Sequence, residues 1–109
     1  MLPNNRTQKL PSHLEAVLLA VLINGEKYGR QLRDAYEKRT GRALPLGSLY
    51  TTLDRMERKG FVKSRHGDPV PGRRGNRRKY FEIKGAGQRA LDAYDIQVAA
   101  AYRSMSREV

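Results

Sequence analysis

The chain has 109 residues, 22 Lys and Arg against 11 Asp and Glu, a formal net charge of +11, two His and neither Cys nor Trp. That length fits one domain, and without thiols there is no disulfide framework, thiolate zinc site or cysteine nucleophile. The longest apolar run, Ala16 to Ile23, is eight residues, against about 20 for a membrane span, and the N-terminal MLPNNRTQKLPSH has no apolar signal segment, so a cytoplasmic protein with no membrane partner is expected.

Residues 1–10 are polar and aperiodic and read as a flexible basic N-terminal arm carrying Arg6 and Lys9. Pro11 and Ser12 open a helix, with Ser12 and Glu15 at capping-box spacing. Leu14, Val17, Leu18, Val21 and Leu22 fall on one stripe, and Ala16, Leu19, Ala20 and Ile23 make the other side apolar too. This helix, ended by Gly25, is expected to be buried on two faces, the second against the C-terminal helix, a second subunit, or both. Tyr28-Gly29 leads into a second helix over 29–40, closed by Gly41, whose apolar positions Leu32 and Tyr36 are few. A third helix over about 46–59 stops at Gly60. Its Leu46, Leu49, Leu53 and Met56 share a stripe, which leaves Gly47, Ser48, Thr51, Asp54, Arg55 and Arg58 on the opposite face and Tyr50 on the border.

Residues 61–66 read as a strand, 67–76 as a loop with three Gly and two Pro, and 77–83 as the returning strand, with Phe81 and Ile83 facing the helices. From Gly85 to about Ser106 the chain is helical again, and Leu91, Tyr94, Val98, Ala101 and Met105 are spaced 3, 4, 3, 4 as a seam two heptads long. The fold class is therefore mainly α with a β-hairpin. Helix, helix, helix, hairpin, helix is the order of a winged helix-turn-helix domain, here over residues 11–84, followed by a long C-terminal dimerisation helix over 85–109.

The charge is placed unevenly: +3 over residues 1–57, +8 over 58–80 and zero over 81–109. So large a surplus makes a polyanion the first candidate partner. In a winged helix the polar face of the third helix enters the major groove, and the hairpin lays Arg73, Arg74, Arg77 and Arg78 along the backbone or into the minor groove. Short side chains at Gly47, Ser48 and Thr51 allow close approach, and Arg55 and Arg58 reach phosphates or a guanine edge. Asp54 either pairs with Arg58 at i+4 or accepts from cytosine, the ion pair being the favoured reading.

The stretch Leu44-Pro45-Leu46-Gly47-Ser48-Leu49-Tyr50-Thr51-Thr52-Leu53, continuing to Gly60-Phe61-Val62, closely resembles the recognition-helix segment of the PadR family of transcriptional regulators. Tyr28-Gly29-Arg30-Gln31-Leu32 resembles the start of that family's second helix, and Arg77 to Ile83 followed by Gly87 its wing strand and the beginning of its last helix. The resemblance implies a homodimeric repressor of the short subgroup, bound to double-stranded operator DNA, with one C-terminal helix making the dimer. It also implies Ser48, Tyr50 and Thr51 at the DNA, with the Tyr50 hydroxyl on a phosphate, and Tyr28 and Arg30 adding phosphate contacts at the second helix's N-terminus. The dimer interface is expected from Leu19, Ile23, Leu91, Tyr94, Val98, Ala101 and Met105. Some members of the family take up aromatic or drug-like effectors in a dimer cavity. Here Tyr94, Tyr102, Leu19 and Ile23 either line such a cavity or pack as ordinary dimer core, the latter favoured because helically spaced aromatics are usually core.

His13 and His66 lack neighbours at metal-ligand spacing, so no metal and no cofactor is expected. No Ser, Asp or Glu stands in a catalytic constellation, and no enzyme is expected. Two other classes compete with the sequence-specific regulator: a non-specific basic protein of RNA or the nucleoid, and a ligand-sensing or interaction module whose basic surface is incidental. The first is disfavoured by only eight aromatics, at least half in core-like positions, since general single-strand binders need several exposed stacking rings.

Overall fold

A computed structural model describes residues 10–69, 71 and 77–107, with the side chains of 105–107 left out. The N-terminal arm with Arg6 and Lys9, wing residues Arg73 and Arg74, and the Met105 side chain lie outside the described residues. The elements in chain order are α1 (His13–Leu22), β1 (Lys27–Tyr28), α2 (Gly29–Thr40), α3 (Leu46–Arg58), β2 (Val62–Pro69), β3 (Arg77–Ile83) and α4 (Gly85–Arg107). Among the described residues no helix is long and apolar enough to cross a membrane.

Helix α1 is started by a complete capping box: the Glu15 amide donates to Ser12 Oγ at 3.2 Å and the Ser12 amide donates to Glu15 Oε1 at 2.8 Å. Apolar on both sides, α1 runs through the middle of the domain. Leu18 and Leu19 are fully buried, as are Leu32 of α2 and Leu49, Leu53 and Met56 of α3, and Phe61, Val62, Phe81, Ala90 and Leu91 complete the same cluster. Fully burying one such leucine is worth about 1.5–3 kcal/mol, so a chain in which Leu, Ile, Val and Phe make up only about a fifth of the residues folds by concentrating them here. Gly41, at φ 70°, ends α2 in the left-handed conformation and donates its amide to Glu37 O at 2.8 Å. The Glu37 carboxylate then accepts from the Leu44 amide at 2.6 Å, fixing the turn that delivers α3.

Glu15 is also the charged group of the core. Lys59, the C-cap of α3, places Nζ 3.1 and 3.0 Å from its two carboxylate oxygens, tying the first turn of α1 to the end of α3. The capping box is legible in the sequence; this second use of Glu15 is not.

The sheet is three-stranded, in the order β1-β3-β2, both pairs antiparallel. The expected hairpin is present as β2 and β3, and β1 extends it to three strands; β1 is only two residues long, too short to show alternation in the sequence. Strand β2 also runs to Pro69 rather than ending at His66, with a register irregularity between them. On the face toward the helices stand Val62, Phe81 and Ile83. On the opposite face Tyr28, Tyr80 and Arg65 lie directly opposite one another across the three strands.

Candidate nucleic-acid interface

Helix α3 is positioned by one stripe and presents the other. Leu49, Leu53 and Met56 are buried with Thr52 between them, while Gly47, Ser48, Tyr50, Thr51, Asp54, Arg55 and Arg58 are exposed. Leu46 departs from the expected stripe: at the first turn it is 42% exposed. Leu44, just before the N-cap Pro45, is the residue that enters the core there, and Leu46 lines a surface cleft instead. Arg58 pairs with Asp54 at 2.9 Å, both side chains exposed, so the i,i+4 ion pair is the arrangement found.

Strand β3 and the start of α2 close a cleft of about 360 Å³ beside α3, lined by Tyr28, Gly29, Arg30, Leu46, Tyr50, Arg77, Arg78 and Lys79. Of the eleven expected DNA-binding residues, the cleft joins Tyr28, Arg30, Tyr50, Arg77 and Arg78. Ser48, Thr51, Arg55 and Arg58 occupy the adjoining exposed face of α3, and Arg73 and Arg74 lie outside the described residues. Gly29, Leu46 and Lys79 join the site without having been singled out. Gly29 has a physical signature: a Cβ there would stand 2.8 Å from Tyr50 Cζ and 2.9 Å from Cε1, so the ring fits only against glycine.

Four cationic side chains and no carboxylate line the cleft. Lys79 Nζ has a carboxylate nearby, Glu57 at 3.9 Å, and Glu57 also accepts from the Ser64 hydroxyl at 2.7 Å. Among the described residues Arg30, Arg77 and Arg78 have no carboxylate within ion-pair distance. Arg78 lies over the Tyr28 ring, 4.3 Å from its centroid, and its Nε is buried without a hydrogen-bond partner. On the same sheet face Arg65 of β2 makes a two-point contact with Glu26, Nε to Oε2 at 3.0 Å and Nη2 to Oε1. The hydrogen bonds from Arg65 hold the Glu26 carboxyl below the usual glutamate range and raise the Arg65 guanidinium in turn.

The expected dimer residues separate into two sets. Leu19 is fully buried and Leu91 is 8% exposed, both packed into the core of the single chain. They are spent there because the first turns of α4 pack on α1: Gly87 sits so close that a Cβ would come within 3.1 Å of Leu19 Cδ2. Tyr94 is half-buried, with its hydroxyl 2.9 Å from His13 Nδ1. Ile23, Val98, Ala101 and Tyr102 are exposed, at 51%, 50% and 71% for Ile23, Val98 and Tyr102.

Three helices, a basic hairpin beside the third of them and a cationic cleft between the two define a winged helix-turn-helix DNA-binding protein. The description of the transcriptional regulator PadR-like family matches residues 18–93, and the chain belongs to that family, one of DNA-binding regulators and not of enzymes. Among solved structures it is similar to TA0346 from Thermoplasma acidophilum, at 26% identity over 86% of this chain and 87% of that one, with a TM-score of 0.73. A PadR family transcription regulator from Clostridium difficile matches at 24% identity over 88% of this chain and 97% of its own, TM-score 0.72. Bacillus subtilis PadR, solved in complex with operator DNA, matches at 20% identity over 78% of this chain and 49% of its own, TM-score 0.68. No curated protein matches the chain.

Proposed function

We propose that the chain is a homodimeric repressor that reads a two-fold symmetric operator, with Ser48, Thr51 and Arg55 of α3 at base edges and the cleft residues and wing arginines on the backbone. The observation that carries this reading is the continuity of two surfaces of opposite character with the carboxylate-free cationic cleft: the bare, short-chained first turns of α3 and the basic strand β3. Small residues permit approach to base edges, whereas cations fix register on phosphates without reading sequence. The operator complex of Bacillus subtilis PadR is consistent with the same use of this fold.

Dimerisation is assigned to the outer part of α4, where Ile96, Val98 and Tyr102 are exposed at 67%, 50% and 71% on a helix that continues past the protomer core. Release by a small aromatic effector would then act where that helix meets α1, beside the open groove lined by His13, Val17, Ala20, Leu91 and Tyr94. Selection of bound duplexes from a random pool tests the reading as a whole. The expected product is a dyad-symmetric site with half-site centres about 10 base pairs apart or a multiple of that, bound roughly 10³-fold or more above bulk DNA. A product without dyad symmetry, or no enrichment, refutes it in favour of a non-specific nucleic-acid binder. The double substitution Val98→Asp and Ala101→Asp is expected to give monomers in sedimentation, and persistence of the dimer moves the interface elsewhere.

A further inference from the structure

The outer face of the sheet carries Tyr80 and Arg65, which the DNA-reading surfaces do not absorb, in a row with Tyr28 and Arg78 of the cleft. Across the strands Tyr28 opposes Tyr80 and Tyr80 opposes Arg65. The two tyrosine rings meet edge to face at 5.6 Å. The Arg65 guanidinium lies 4.8 Å from the Tyr80 centroid and is clamped from outside by the Glu26 carboxylate. At the inner end Arg78, two residues from Tyr80 and so on the same face, stacks on Tyr28. The sheet makes room for this row: Gly67 is buried beneath Tyr80, whose Cε1 would stand 2.6 Å from any Cβ placed there. Glu26, Arg65, Tyr80, Tyr28 and Arg78 are thus linked contact by contact, Arg65 of β2 reaching past Tyr80 to Glu26 beside β1, and the chain of contacts ends in the cationic cleft.

We propose that this row is a positioning device that presents Arg78 as the ligand of one DNA backbone phosphate in the cleft, with Tyr28 and Tyr80 as the residues that hold it there. The inference rests on the DNA-binding reading, which already puts Arg78 on the backbone, and adds to it which side chains hold that arginine in place. Arg78 differs from its neighbours in how it is held. A free arginine gives up considerable rotamer freedom on meeting a phosphate, and lying over a ring removes part of that freedom beforehand. The Arg78 Nε is buried against the protein without a partner, so the terminal Nη groups are the donors left to meet a phosphate. The adjacent Arg30 and Arg77 supply charge, and Tyr50, held against Gly29, closes the cleft on the α3 side. A backbone phosphate is the fitting occupant because the cleft opens between the recognition helix and the wing, where the strand beside the groove must pass.

The test is salt-dependent binding of a fluorescein-labelled mixed-sequence duplex of about 24 base pairs, followed by anisotropy between roughly 50 and 200 mM salt. Arg78→Ala is expected to lower the log–log slope by about 0.9 per protomer. Tyr28→Leu, which changes no charge, is expected to lower it in the same direction and weaken binding about 3- to 10-fold, Tyr80→Leu less so, and Tyr28→Phe to restore most of what Tyr28→Leu removes. Tyr28→Leu added to Arg78→Ala should cost almost nothing further, since a residue that acts through Arg78 has nothing to position once Arg78 is gone. Lys38→Gln, at the far end of α2 about 13 Å along the helix axis, controls for loss of a charge, and thermal unfolding checks that each variant is folded. A wild-type slope in Tyr28→Leu, or full additivity of the two losses, overturns the positioning role. An unchanged slope in Arg78→Ala overturns the phosphate site. Absence of duplex binding by the wild-type protein refutes the DNA-binding reading itself and the inference with it.

Discussion

Replacing Lys59 by Met should destabilise the protein far more than loss of a surface lysine does. The Glu15 side chain is 1% exposed and Lys59 24%. Lys59 Nζ reaches both carboxylate oxygens, and the other hydrogen bond to that carboxylate is from the Ser12 amide at 2.8 Å. Removing one member of a fully buried pair costs about 3–5 kcal/mol because the other charge is left uncompensated, whereas an exposed pair is worth about 0–1 kcal/mol. Water can reach the quarter-exposed lysine site, so the expected cost lies between, at about 2–3 kcal/mol. For a domain of this size that lowers Tm by roughly 10–20 °C. Thermal and urea unfolding followed by far-ultraviolet circular dichroism would measure it, at one protein concentration because any self-association shifts apparent stability. Glu15→Gln in the Lys59→Met background removes the orphaned charge, retains an acceptor for the Ser12 amide, and should recover about 1–2 kcal/mol. If Lys59→Met stays within about 0.5 kcal/mol of wild type, or Glu15→Gln recovers nothing, the pair is behaving as a surface contact and the reasoning fails.

Gly29→Ala should gain helix propensity yet displace Tyr50, so duplex affinity falls about tenfold, some 1.4 kcal/mol, with Tm nearly unchanged; wild-type affinity by anisotropy would show that the Tyr50 ring position is irrelevant to binding. Asp54→Asn releases Arg58 from its ion pair and removes a negative charge from the α3 face, so bulk-duplex affinity should rise while stability changes by less than about 0.5 kcal/mol; a fall in affinity would mean Asp54 itself contacts DNA. The Glu26 carboxyl, followed by NMR, should titrate below the ordinary glutamate range because Arg65 donates to its charged form. Since its folded-state value is depressed, its contribution to stability is present above the unfolded value and lost as pH falls through the depressed midpoint. Glu26→Gln should therefore flatten the stability profile in that acid window, and an unchanged profile would show that the contact carries no linkage.

Much of this architecture is readable from residue pattern because each long element states its own period. The dense apolar stripe of α1, the polar outer face of α3 and the alternation of β3 led to the observed elements, with α2 and β3 matching in their ends. What escaped reading depends on contacts between distant segments. Strand β1 has no period of its own and exists because Lys27 and Tyr28 pair with Phe81 and Tyr80. Glu15 reads as a cap and gives no sign of Lys59, 44 residues away. The α4 seam looks continuous in sequence, yet Leu91 belongs to the protomer core while Val98 is exposed, since a heptad spacing does not say which helix it meets. The cleft is legible in part: its arginines and Tyr50 stand out, but the need for glycine at 29 appears only when Tyr50 is seen against it.

Strand β3 sits in the middle of the sheet and serves two masters by parity. Odd-numbered Phe81 and Ile83 belong to the hydrophobic core, even-numbered Arg78 and Tyr80 to the opposite, cationic surface. A single residue inserted between Arg78 and Phe81 would leave the core anchored and turn the arginine to the wrong side, and two would restore its direction but carry it about 7 Å farther along the strand. Between Arg78 and Phe81 the base of the wing therefore behaves as a ruler of set length.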